Sequence, residues 1–109
     1  MFVVDNGSKK IEMNKGDFGV ILAFCFNAIE GTNVKFKIYE KNDPEKVAVI
    51  EKNFDLTDTI DNKVELELTE EETSKLEKKE YCWGLYQYIE GDLKNSLLVD
   101  RKFIVKEGV

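Results

Sequence analysis

The chain has no histidine. That absence removes Ser-His and Cys-His nucleophile pairs, histidine general bases and histidine metal ligands. Its two cysteines, Cys25 and Cys82, are too few to close a structural zinc site by themselves. There is one proline, Pro44, and no low-complexity tract, so no Pro-rich linker divides the chain. The longest unbroken apolar run, residues 20–26, is far too short to span a bilayer as a helix. The opening MFVVDNGSKK lacks the basic and apolar regions of a signal peptide. A product made and kept in the cytoplasm, with no membrane partner, is expected. A basic face is also lacking: the net charge is −6, and Lys9, Lys10, Lys15, Lys35, Lys37 and Lys41 lie scattered among acids. Nucleic acid is therefore not an expected partner.

What is present is enough for one folded domain. The 109 residues are 42% hydrophobic, with one Trp, four Tyr and seven Phe, which argues against disorder. Apolar residues recur with period two. Residues 2–4 and 9–13 flank Asn6-Gly7, a two-residue hairpin signal, and predict a short ribbon. Residues 18–26 are apolar at both parities, so both faces of that strand call for cover. Glu30-Gly31-Thr32-Asn33 reads as a turn. In 34–39, Val34, Phe36 and Ile38 point inward and Lys35, Lys37 and Tyr39 outward. Strands follow at 47–54, with Val47, Val49 and Ile50 inward, and at 64–68; Leu56 and Ile60 anchor the polar connection between them. Thr69 and Glu72 match a capping box and predict a helix over 70–78, acidic at its start and basic at its end. An aromatic strand at 81–89, a turn at Gly91-Asp92 and a last strand at 96–106 complete the pattern. About seven strands at this spacing predict an antiparallel β-sandwich.

The polar clusters are explained without chemistry. Glu70, Glu71 and Glu72 favour a helix start. Asp55, Asp58 and Asp61 lack the D-x-D-x-D-G order of a calcium loop and read as a solvated turn. With no secretion signal, Cys25 and Cys82 read as reduced structural thiols. No catalytic, metal or cofactor-binding residue is expected, and the chain is read as a non-enzyme. Alternation puts Tyr81, Trp83 and Leu85 in the core. It puts Tyr86 and Tyr88 on the other face, where they form, with Tyr39, an exposed aromatic patch suited to an interface.

The order of these features resembles a known group. Residues 11–24, IEMNKGDFGVILAF, are similar to the opening of small immunoglobulin-like domains in phage and prophage structural proteins. The resemblance continues through Val34, Phe36 and Ile38, then Val64, Leu66, Leu68, Thr69, Glu72, Thr73 and Leu76. It ends with Tyr81, Trp83, Leu85, Lys102, Phe103 and Val105. It covers almost the whole chain, which is similar to the N-terminal domain of baseplate upper proteins of tailed phages of Gram-positive hosts. Gly84 stands where that group commonly has an acid. The resemblance implies an immunoglobulin-like sandwich and a non-enzymatic tail, baseplate or decoration role. It implies contacts with other virion proteins or with a second copy, and a location in the virion after assembly. The expected contact residues are Phe24, Phe26, Tyr39, Tyr86 and Tyr88. A charge at Phe24 should then block assembly while leaving a folded monomer. The rival reading is a ligand-binding module, such as a carbohydrate-binding or adhesin-like domain.

Overall fold

The computed structural model describes residues 2–5, 7–25, 32–55 and 63–106, without the side chains at 20–25, 32, 55, 63, 64 and 94. Its elements are β1 (Val3–Val4), β2 (Ile11–Asn14), β3 (Gly19–Cys25), β4 (Thr32–Glu40) and β5 (Ala48–Asp55). After them come β6 (Lys63–Leu68), α1 (Glu70–Ser74), β7 (Glu80–Ile89) and β8 (Asp92–Lys106). This is the expected all-β sandwich with one short helix. A six-stranded sheet runs β1-β2-β8-β7-β4-β5, and β3 pairs with β6 in a second, two-stranded sheet. The larger sheet is mixed, because β2 runs parallel to β8 while its other pairs are antiparallel.

Alternation builds the core between the sheets. Val34, Phe36 and Ile38 of β4 are fully buried, as are Trp83 of β7 and Phe103 of β8, with Tyr81 nearly so. Leu66 and Leu68 of β6 and Leu76 after α1 close over them from the other layer. Phe36 and Trp83 lie with ring centroids 5.5 Å apart and planes tilted by 40°, a geometry that adds about 0.5–1.5 kcal/mol to area burial alone. The indole N–H of Trp83 donates to the Lys9 carbonyl at 3.0 Å, so the buried ring keeps its hydrogen bond and pins the entry to β2.

Several local expectations are corrected. The N-terminal ribbon is not a two-residue hairpin: Val4 pairs with Ile11. The Asp5 carboxylate closes the longer loop by accepting from the Gly7 and Ser8 amides at 2.8 and 3.0 Å. The tight hairpin lies between β7 and β8 instead, where Ile89 pairs with Asp92. Glu90 and Gly91, at φ 51° and 86°, give it the two left-handed residues that strand twist favours. The last strand consequently starts at Asp92 rather than at 96. On β5 the register shifts opposite Ile38/Tyr39. Ile50 stays inside, while Val47 and Val49 turn out to solvent.

The helix ends at Ser74, short of the lysines expected in its last turn. Leu76 donates its amide to Thr73 at 3.1 Å, a tightened turn that delivers its side chain to the core. The Glu77 amide then donates to the Tyr81 hydroxyl. Thr32 and Asn33, expected in a turn, instead open β4, while Glu30 and Gly31 of that turn, Asn6, the anchors Leu56 and Ile60, and Asp58 and Asp61 lie outside the described residues.

Candidate functional site

The six-stranded sheet has one face on the core and one outside it. Because Val34, Phe36 and Ile38 fill the core, Lys35 and Lys37 of β4 must stand on the outer face. β7 sets two tyrosines beside them. The Lys35 ammonium lies 4.7 Å from the Tyr88 ring centroid, and that of Lys37 lies 5.4 Å from the Tyr86 ring. Both are cation–π distances. From β5, one Glu51 carboxylate oxygen sits 4.0 Å from each ammonium. Two cations thus share one anion over an aromatic floor.

Gly84 shapes that floor. Its missing side chain leaves the space into which Tyr86 folds: a Cβ at Gly84 would lie 2.7 Å from Tyr86 Oη and 2.8 Å from the Leu98 carbonyl oxygen. Tyr86 is in consequence a buried residue. Next along the face, Tyr39 is 1% exposed. Its hydroxyl donates to Asp100 Oδ1 at 2.6 Å and accepts from the Asp100 amide at 2.9 Å. Lys46 reaches in from the β4–β5 loop. Its ammonium donates to Asp100 at 2.7 Å and stands 5.3 Å from the Tyr39 ring centroid. Asp100 lies where β8 slips register against β7, and it holds a left-handed φ of 54°. A cleft of about 350 Å³ opens there, lined by Tyr39, Lys41, Pro44, Lys46, Cys82 and Asp100 among others.

The electrostatics hold each group in its ordinary charge state at neutral pH. The hydrogen bond to Asp100 pushes Lys46 up, and the Lys46 and Tyr39 hydrogen bonds hold Asp100 down. Burial and donation to Asp100 push Tyr39 well up. Burial, then the nearby Asp100 and Glu80 charges, push the free Cys82 thiol up. A thiol shifted this way is less nucleophilic than an ordinary one. The face therefore offers ion-paired charges, a thiol kept protonated and tyrosine rings covered by lysine ammonium groups. Among the described residues no group of three or more Cys, Asp or Glu is placed to hold a metal ion. No helix there is long and apolar enough to cross a membrane.

The expected interface residues fare differently. Tyr39, Tyr86 and Tyr88 do share the outer face, but the exposed patch is corrected: Tyr39 and Tyr86 are buried, and Tyr88 is half-buried. The cause is cover from elsewhere in the chain, by Lys37 over Tyr86 and by Lys46 and Asp100 over Tyr39. Phe24 sits on β3 with its side chain undescribed, and Phe26 lies outside the described residues. In the sequence Lys35 and Lys37 look like scattered charge, and nothing there distinguishes Lys46 from other surface lysines. Outward parity on β4 marked the first two. For Asp100 the one signal was the polar break after Leu97-Leu98-Val99. No protein-family model, curated protein or solved structure matches this chain.

Proposed function

We propose that the chain is a non-enzymatic structural or assembly domain of a tailed phage or prophage particle, acting through contacts with other virion proteins or with its own copies. The observation that carries the reading is the outer sheet face. It is a broad β surface on which Lys35 and Lys37 share the one Glu51 carboxylate and lie over the Tyr88 and Tyr86 rings, a combination of charge and aromatic area suited to meeting another surface. The strand order supports the immunoglobulin-like part of the proposal. β3 and β6 take the places of strands B and E, facing β4, β7 and β8 in the places of C, F and G. On this reading the chain is made in the bacterial cytoplasm and resides in the virion, with no nucleic-acid, membrane or cofactor partner.

The cleft beside Tyr39 favours a second reading, a carbohydrate-binding or adhesin-like module, since its volume lies within the range of small-ligand sites. Light scattering across a concentration series, run beside a glycan-binding titration, separates the two. A discrete oligomer with no saturable glycan binding is the expected result. A monomer at every concentration that binds a glycan saturably overturns the assembly role.

A further inference from the structure

Among the described residues, patches of opposite charge lie on the two layers. Lys35 and Lys37 share the single Glu51 carboxylate, each at 4.0 Å, so this patch of the large sheet's outer face keeps one positive charge in surplus. Their side chains are 32% and 24% exposed, already partly stripped of water by the tyrosine rings, which lowers the cost of covering them. On the far side of the sandwich, Leu66 and Leu68 point into the core, so Glu65 and Glu67 stand outward on β6. Glu70 and Glu71 follow at the start of α1, and all four are exposed. The β6 acids lie across the core from the lysine patch, so the two cannot meet within one copy.

We infer that a second copy of this chain is the occupant of the Lys35/Lys37/Tyr88 face. It docks head to tail through its β6–α1 acids, so that copies stack into a row or a ring. The inference rests on the assembly role proposed above and specifies its partner and its surface. Charge complementarity selects the occupant: the same chain supplies a patch of each sign. Opposite placement selects the symmetry, since a patch that meets a different patch propagates, whereas a self-complementary patch stops at a dimer. The contacts are exposed ion pairs over aromatic rings, so the association is salt-sensitive.

Light scattering of the full chain tests this. Wild-type protein should associate at low ionic strength and weaken about tenfold or more between 50 and 500 mM NaCl, as several screened pairs require. The double variants Lys35→Gln/Lys37→Gln and Glu67→Gln/Glu71→Gln should each stay monomeric where the wild type associates. Far-UV circular dichroism confirms that they are folded. An equimolar mixture should give a one-to-one heterodimer and nothing larger, because each variant keeps one intact face. A monomeric wild type overturns the inference. So does association that ignores salt, or variants that associate like the wild type; in those cases the chain still assembles, and only the surface is wrong.

Discussion

At Gly84 a methyl group would collide with the Tyr86 hydroxyl and with the main-chain carbonyl of Leu98. The tyrosine can be shortened but the carbonyl cannot move without its strand. Gly84→Ala is accordingly expected to cost about 1–3 kcal/mol, the usual range for overpacking, read from urea denaturation. Adding Tyr86→Phe should recover only part of the loss. Full recovery would mean that the Leu98 backbone is not a barrier. Asp100 is the second telling residue. Its carboxyl is held below the usual value of 3.8 by Lys46 and Tyr39. A depressed carboxyl contributes stability above its unfolded pKa and loses it as pH falls through the folded one. The gap in melting temperature between wild type and Asp100→Asn should be constant above about pH 5 and close progressively below about pH 3.8. A gap unchanged down to pH 2 would contradict the Lys46–Asp100–Tyr39 linkage.

One short element holds several others. α1 is a single turn, too short to persist on its own. It survives because the Thr69 hydroxyl accepts from the Glu72 amide while the Glu72 carboxylate accepts from the Thr69 amide at 2.9 Å. Glu72 also meets Lys52 of β5 at 2.7 Å. Burial by itself would raise its pKa, and the Lys52 and Thr69 hydrogen bonds outweigh that and hold it down. The buried Thr73 hydroxyl donates to the Asp17 carbonyl at 2.6 Å, tying the helix to the turn before β3. Thr69→Ala should therefore cost about 0.5–2 kcal/mol. Its effect should reach beyond the helix, as faster amide exchange in the Asn14–Asp17 turn. Exchange confined to 70–76 would show that Thr73 does not couple the two.

Among the described residues one continuous core is fed by both layers, with Leu66, Leu68 and Leu76 packed among residues of the large sheet. Unfolding followed by Trp83 fluorescence, which reports the centre of the large sheet, should coincide with unfolding followed by far-UV circular dichroism. Separate transitions would mean that the β3–β6 layer opens independently.

Period-two patterning set out β4, the inward row of β7 and the sandwich itself. Hydrophobic burial demands one apolar face per strand, and Val34, Phe36, Ile38, Tyr81, Trp83 and Leu85 wrote that demand into the chain. The capping box at Thr69 and Glu72 was equally plain, because its partners are three residues apart. Tertiary structure alone decided what lies over the outer face. Tyr39 is buried by Asp100, 61 residues away, and by a lysine from a loop. Alternation gives the side of a sheet on which a residue stands, but exposure there depends on register, bulges and long-range cover. The parallel pairing of β2 with β8, the turned-out Val47 and Val49, and the opposition of a lysine face to an acidic one arose in the same way. They follow from which strands become neighbours, and that is a property of the packed chain as a whole.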